Sequence, residues 1–204
     1  MNAHLKRFLT GLFLLLAGWV LWVFTPPLVL SLVISAIIGS VLVLEWPAFH
    51  LWWLTPIYPV APFVLLIALN QSCYREVLLF LSLITFAHDT GAYIVGTWIG
   101  KHTISPISPK KSWEGFAGGY CFSFVAAVFI CYYTNVHIFP AIPLLVLVYN
   151  FAALGGDLFE SYLKRRVGLK DSGNVLPGHG GLLDRFDSLL AVIVVFYCLR
   201  WLAC

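Results

Sequence analysis

The chain has 204 residues, of which 61% are hydrophobic and only 10% are charged, and its formal net charge is +3. A mean hydropathy of +0.92 excludes an ordinary soluble domain and is typical of an integral membrane protein. No nucleic-acid partner is expected.

Seven apolar runs are each about as long as a bilayer crossing requires. The sequence therefore predicts an all-α polytopic membrane protein with about seven transmembrane helices. The third run contains Pro56, Pro59 and Pro62, which predict a kinked or re-entrant segment. The first run is not followed by a small-residue cleavage motif, so we expect it to remain as an uncleaved span. The runs cover residues 8–24, 28–44, 52–69, 77–98, 116–133, 141–159 and 188–204.

The basic residues indicate how these spans are oriented. With seven spans, all but Arg75 and Arg200 of the 12 basic residues fall on one side. The positive-inside rule places that side in the cytoplasm. Both long polar loops, 100–115 and 162–187, lie there, which predicts an active site in cytoplasmic loops and helix ends of a bacterial-type inner membrane protein.

The chain is expected to form one integral membrane unit with two parts. Residues 1–87 supply the N-terminal transmembrane spans, and residues 88–204 form a catalytic membrane domain carrying the polar motifs. The cysteines form no CxxC pair and have no metal-ligand spacing with histidine, so neither a zinc site nor a disulfide framework is expected. They are Cys73, Cys121, Cys131, Cys198 and Cys204.

Acidic residues are concentrated in the window 156–187. Asp157 and Glu160 are spaced to share one helical face with Ser161 and Lys164. Asp184 and Asp187 would likewise share a face at the start of the last helix. Two converging acidic faces are suited to Mg²⁺, which binds a few carboxylates and keeps water and phosphate as its other ligands.

An alternative interpretation of this cluster needs no metal. The same carboxylates could form ion pairs with Lys164, Arg165 and Arg185 in a solvated loop. That alternative accounts for the mixture of charges but not for the regular spacing.

A glycine-rich turn at residues 177–181 separates the two acidic faces. Backbone N–H groups at Gly180 and Gly181 could approach phosphate oxygens closely. His179 could donate to a phosphate or act as an acid toward a leaving group. A flexible turn with a surface histidine is the alternative.

Two further groups of polar residues lie upstream. Asp89, inside the fourth apolar run, could hydrogen-bond a bound ligand, or could pair with the neighbouring Thr90. Lys110, Lys111 and Ser112 could grip a triphosphate, or could contact anionic headgroups through charge alone.

The arrangement of these residues resembles a known signature. Ser161, Lys164-Arg165, Lys170-Asp171, residues 177–181, Asp184-Arg185 and Asp187 follow the spacing of the phosphatidate cytidylyltransferases, also called CDP-diacylglycerol synthases. The blocks DTGAY at 89–93 and SPKKSWEG at 108–115 are similar to that family as well, and a looser similarity includes Glu45.

The resemblance implies transfer of a cytidylyl group from CTP to phosphatidic acid, giving CDP-diacylglycerol and pyrophosphate for phospholipid biosynthesis. It implies that Asp157 and Asp184 hold Mg²⁺ with Asp187 assisting, and K⁺ is a candidate second ion. Lys164 and His179 would join these aspartates in catalysis. The expected substrate-binding residues are Asp89, Lys110, Lys111, Ser112, Ser161, Arg165, Lys170, Gly180, Gly181 and Arg185.

The chain departs from the family in its length, since familiar members are longer. We therefore expect it to lack part of the wall of the lipid cavity, which a homodimer interface could supply. Three alternatives remain open. The chain could be a CTP-dependent transferase acting on an isoprenoid or ether-lipid phosphate, a transporter or channel with intramembrane acids, or a non-catalytic scaffold.

Overall fold

The computed structural model describes residues 18–134, 141–173, 175 and 180–200. The first predicted span lies largely outside these residues, and only its end, 18–24, is described as helical (α1). The remaining helices are α2 (Pro27–Ser40), α3 (Ala61–Asn70), α4 (Arg75–Ile99), α5 (Trp113–Thr134), α6 (Ile142–Arg166) and α7 (Leu183–Arg200).

The helical membrane class is confirmed. Among the described residues, four helices are long and apolar enough to cross a membrane, namely Pro27–Phe49, Arg75–Ile99, Trp113–Tyr133 and Ile142–Arg166. The first of these continues α2 through a π turn (Val41–Glu45) and a 3₁₀ turn (Trp46–Phe49). Helix α7 is described over the 18 residues Leu183–Arg200, with Asp184 in its first turn and Arg200 in the last described turn.

The third predicted span is interrupted, as its prolines indicate. A π turn (Pro56–Val60) precedes α3, and within it Tyr58 adopts a non-helical conformation with φ −146° and ψ 126°. Proline lacks the N–H that a continuous helix needs, so the chain enters α3 only after this break. The apolar helical segment Pro56–Asn70 is shorter than the four spans.

A small β-hairpin was missed by the sequence analysis, which predicted only a polar loop at 100–115. Strands β1 (Thr103–Ser105) and β2 (Ser108–Ser112) pair antiparallel, with Thr103 opposite Ser112 and a register shift between the paired positions. The Trp113 N–H donates to the His102 carbonyl at 2.9 Å, which joins the hairpin directly to the start of α5.

The described helices alternate in direction between two ends of the molecule. At one end Asn70, the last residue of α3, donates to the Pro27 carbonyl at 2.7 Å and to Ser31 Oγ at 2.9 Å. The Tyr74 ring packs against Phe196 of α7 at the same end, with a centroid distance of 5.9 Å. We call this the far end. The opposite end, which we call the site end, holds the hairpin and the junction of α6 with α7.

Glycines allow α4 and α5 to approach closely. A Cβ added at Gly91 would lie 2.7 Å from Phe122 Cβ, and one added at Gly119 would lie 2.6 Å from His88 Nδ1. Small residues permit such backbone contact between membrane helices. The two helices therefore pack closely, and both contact β2 of the hairpin.

Helices α6 and α7 also meet through a glycine. A Cβ at Gly156 would lie 2.5 Å from the Asp187 carbonyl oxygen and 2.6 Å from Ala191 Cβ. This contact brings Asp157, the next residue along α6, beside the first turns of α7.

Candidate active site

A buried lysine joins the two acidic helix ends. Lys164 Nζ, near the end of α6, lies 2.6 Å from Asp184 Oδ1 in the first turn of α7. It also lies 3.3 Å from Glu160 Oε1, one turn earlier on α6. Only 11% of the Lys164 side chain is exposed, so one ammonium compensates two carboxylates away from water.

The other oxygen of Asp184 binds the backbone. Asp184 Oδ2 accepts hydrogen bonds from the N–H of Ser172 at 3.0 Å and from the N–H of Gly181 at 2.8 Å. Burial opposes its ionisation, but the hydrogen bonds from the Lys164 ammonium and the Gly181 N–H favour the charged form, and the pKa of Asp184 lies below its usual value. Asp184 is therefore ionised, and both of its carboxylate oxygens already have hydrogen-bond partners.

Glu160 is buried without adequate partners. Its side chain has no exposed surface, and neither carboxylate oxygen has a hydrogen-bond partner among the described residues. The Lys164 ammonium is within ion-pair distance but lacks hydrogen-bond geometry. A buried carboxylate in this condition is costly and marks a place where a further cationic or donor group would be stabilised.

The second ion pair connects the hairpin to α6. Lys111 Nζ binds Asp157 Oδ2, and about a quarter of each side chain is exposed. Ser161 Oγ donates to the other oxygen, Asp157 Oδ1, at 3.3 Å, so this serine orients the carboxylate. The two polar segments that the sequence analysis singled out are thus brought together by a direct contact.

Asp187 lies between these pairs. Its Oδ1 accepts from the Ser188 N–H at 2.7 Å, and only 8% of the residue is exposed. It is close enough to Asp157 and Asp89 for their charges to act on it. Asp89 in turn is within electrostatic range of Arg185. The predicted aspartates therefore converge, although they belong to three helices.

Several predicted substrate-binding residues have structural contacts. The Ser112 hydroxyl accepts from the Gly115 N–H at 3.1 Å and so caps the start of α5. Arg165 donates to the Leu169 carbonyl at 3.0 Å beside the end of α6. Lys110 and Lys170 are exposed.

The glycine-rich turn is described only in part. His179 lies outside the described residues, so its predicted role stays a prediction. Gly180 has φ +82°, and a Cβ there would lie 2.7 Å from Asp184 Oδ2. Gly181 is buried beside Ser172. Both positions therefore require glycine for a physical reason that the spacing alone did not reveal.

Three polar residues at the site end, Glu45, Tyr58 and Ser172, were assigned no site role from the sequence. Glu45 is fully buried and hydrogen-bonds Ser172 and the start of α7. The Tyr58 hydroxyl is buried without a hydrogen-bond partner among the described residues and lies within electrostatic range of Glu160. Glu45 directly follows the apolar run 28–44, a position where a carboxylate is costly, whereas nothing in the sequence distinguished Tyr58 or Ser172.

The described residues include no group of three or more His, Cys, Asp or Glu side chains that could hold a metal ion. Mg²⁺ needs fewer protein ligands, because water and substrate phosphates complete its coordination. Asp157 and Asp187 act on one another, and the unpartnered Glu160 oxygens lie beside Lys164 near them. Carboxylate oxygens are the hard ligands that Mg²⁺ prefers, so the residue types present are compatible with the predicted magnesium site.

Comparison with known proteins identifies relatives. Residues 3–203 match the sequence model described as "Cytidylyltransferase family". Two proteins named phosphatidate cytidylyltransferase, from Staphylococcus haemolyticus and Staphylococcus epidermidis, are 44% and 47% identical to the chain over 119 and 118 residues. Each match covers 57% of this chain but 45% of the relative, so it accounts for about half of the relatives' length.

Proposed function

Because the chain belongs to the cytidylyltransferase family, we propose that it transfers a cytidylyl group from CTP to phosphatidic acid, giving CDP-diacylglycerol and pyrophosphate in phospholipid biosynthesis. The observation that carries this proposal is the ion pair between Lys111 and Asp157. It joins the two motif-bearing segments at one end of a membrane-spanning bundle, where a water-soluble nucleotide and a membrane-anchored phosphate could meet.

The proposed reaction forms one bond and breaks one bond. An oxygen of the lipid phosphate attacks the α-phosphorus of CTP, and the bond from that phosphorus to the β-phosphate oxygen breaks, so that pyrophosphate leaves with the electron pair. The attacking phosphate is already anionic near neutral pH, so no strong general base is needed. Catalysis therefore depends on positioning and on neutralisation of charge.

The basic residues have distinct roles in this proposal. Lys111 is placed to exchange its contact with Asp157 for a phosphate oxygen of CTP, because both side chains remain partly exposed. Lys164 is held by two carboxylates and stabilises the site rather than moving. Arg185, Arg165, Lys110 and Lys170 remain candidates for the phosphates of either substrate, as does His179.

The cofactor in this proposal is Mg²⁺, with K⁺ as a candidate second ion. Asp157 and Asp187 would hold Mg²⁺, whereas Asp184 would support the site because Lys164 and two backbone N–H groups already engage its oxygens. When bound, the ion would neutralise negative charge on the triphosphate.

The proposed orientation puts the site end in the cytoplasm of a bacterial-type inner membrane. The excess of basic residues at that end supports this orientation, and CTP is a cytoplasmic metabolite. A homodimer is part of the same proposal.

A turnover assay tests the proposed function. The purified protein in detergent is given radiolabelled CTP, phosphatidic acid and Mg²⁺, and label is followed into a chloroform-soluble product, with EDTA as the control. We expect label in lipid that disappears with EDTA. Parallel reactions with an isoprenyl phosphate and an ether-lipid phosphate test the alternative acceptors.

The outcomes separate the competing interpretations. Label only with another lipid phosphate would retain cytidylyl transfer and replace the acceptor. CTP binding without transfer to any acceptor would instead support a non-catalytic scaffold.

A further inference from the structure

We infer that Glu45 is a positioning residue for the proposed reaction, whose carboxylate clamps both ends of the segment 172–183, which contains the glycine-rich turn and leads into α7. The inference rests on the proposed function, because that segment borders the residues placed in the reaction. Glu45 belongs to the turn that follows α2, far from the signature in sequence.

The clamp consists of three hydrogen bonds to one carboxylate. Glu45 Oε1 accepts from the Leu182 N–H at 2.6 Å, and Oε2 accepts from the Leu183 N–H at 2.9 Å. Oε2 also accepts from Ser172 Oγ at 3.1 Å. Ser172 precedes the glycine-rich turn and Leu182 follows it, so one side chain joins the two boundaries of that turn.

The burial of Glu45 makes these contacts energetically important. The residue has no exposed surface, and an uncompensated carboxylate there would be strongly destabilising. The first N–H groups of α7 equally need acceptors, because a helix cannot satisfy its own first turn. Their partial positive charge favours an anion at this position. The Glu45 carboxylate therefore supplies the acceptors that the first N–H groups of α7 need, and those N–H groups stabilise the buried carboxylate.

The local backbone holds Glu45 in place. The π turn Val41–Glu45 gives way to the 3₁₀ turn Trp46–Phe49, and Glu45 lies at the junction. Trp46, the next residue, stacks on Phe49 at 5.2 Å and donates from Nε1 to Thr55 Oγ1 at 2.7 Å. Because Trp46 is fixed by these contacts, the adjacent Glu45 side chain is held in its direction toward the start of α7.

The glycines beside the clamp show how closely it fits. A Cβ at Gly173 would lie 2.9 Å from Glu45 Cγ, and a Cβ at Gly181 would lie 2.7 Å from Glu45 Oε2. The side chain therefore occupies space that is available only because both neighbours are glycine.

The clamp acts on the proposed active site through Asp184. That carboxylate binds the same two boundaries, by accepting from the Ser172 N–H and the Gly181 N–H. Release of Leu182 and Leu183 by a change at Glu45 would shift the first turn of α7, which carries Asp184 and leads to Asp187. A small displacement of groups that bind the reacting phosphates is expected to reduce the rate.

The experiment compares three variants in detergent. Glu45→Gln keeps the size but replaces one acceptor oxygen with a donor, and Glu45→Asp keeps the charge with a shorter reach. Glu76→Gln is the matched control, because Glu76 is exposed in the first turn of α4 at the far end. Hydrogen exchange of peptides covering 170–185 reports on the clamp without requiring turnover, and steady-state kinetics report kcat and the KM for CTP.

We expect Glu45→Gln to accelerate exchange in the 170–185 peptides by about tenfold, leaving α4 and α5 unchanged, and to lower kcat by roughly tenfold to a hundredfold. Glu45→Asp should show a smaller increase in exchange and a smaller decrease in kcat than Glu45→Gln, and Glu76→Gln should behave as the parent protein.

Two results would overturn the inference. The first is exchange and kinetics in Glu45→Gln that match those of the parent protein. Faster exchange throughout the helices in both Glu45 variants would also overturn it, by making Glu45 a general stability residue. If the parent protein transfers no label, the proposed function fails while the exchange data still test the clamp.

Discussion

Lys164 Nζ lies 2.6 Å from Asp184 Oδ1 and thereby joins the last turns of α6 to the first turn of α7. The pair is largely buried, and Glu160 shares the same ammonium. Removal of one member of such a group leaves charge without compensation, which costs more than the net contribution of the intact pair.

Replacement of Lys164 by Met is expected to destabilise the protein by about 3–5 kcal/mol, because Asp184 and Glu160 would remain buried without their ammonium. Thermal unfolding in detergent measures the loss. The double variant Lys164→Met with Asp184→Asn should lose less than the sum of the two single variants, since the residues are in direct contact. Additive losses would show that the ion pair contributes nothing specific.

The proposed magnesium site predicts different behaviour for two neighbouring aspartates. Asp187→Asn should abolish turnover or sharply raise the Mg²⁺ concentration required for half-maximal rate, while the protein remains folded. Asp184→Asn should abolish activity as well and should in addition lower thermal stability, because the charge that binds Lys164 is lost and the oxygen facing that ammonium can be replaced by an NH₂ group. A magnesium titration of each variant checks this. Near-normal turnover by Asp187→Asn would contradict the metal assignment.

Adjacent lysines on the hairpin offer a matched comparison. Lys111 pairs with Asp157, whereas Lys110, on the opposite face of β2, is exposed. Lys111→Ala should raise the KM for CTP by about tenfold, and Lys110→Ala should raise it less. Steady-state kinetics at varied CTP concentration separate the two. An equal rise in the KM for CTP in both variants would indicate that only the positive charge of the hairpin matters, as expected if it contacts anionic lipid headgroups.

Adjacent glycines in α6 test the contact between α6 and α7. A Cβ at Gly156 would lie 2.5 Å from the Asp187 carbonyl oxygen, whereas a Cβ at Gly155 meets nothing within 4 Å. Gly156→Ala should therefore lower both stability and turnover. Gly155→Ala should be neutral or stabilising by up to about 1 kcal/mol, because alanine favours helix. Thermal unfolding and turnover of both variants measure the difference, and equal losses would contradict the close packing.

The proposed orientation can be tested with a native cysteine. Cys73 is exposed at the far end, between α3 and α4. In a variant retaining only this cysteine, a membrane-impermeant maleimide should label intact spheroplasts. A cysteine placed at Thr103 on the hairpin should react only after the membrane is opened. The reverse pattern would invert the orientation.

The sequence by itself determined the class of the protein, the polar loops and the residues that converge. Long apolar runs leave little alternative to membrane helices, because every backbone polar group must find a partner within the bilayer. The prolines near Tyr58 indicated the broken third segment for a local steric reason. Spacings of three and four placed Asp157 with Ser161, whose hydroxyl contacts that carboxylate.

The tertiary structure decided which partners these residues take. The ion pair between Lys111 and Asp157 depends on how α4, α5 and α6 pack, and no local sequence pattern predicts that packing. The hairpin was missed because its short strands are polar and carry little periodicity. The clamp from Glu45 joins residues 127 to 138 positions apart. Such contacts arise because burial forces distant polar groups to satisfy one another, and this requirement appears only when the helices are assembled.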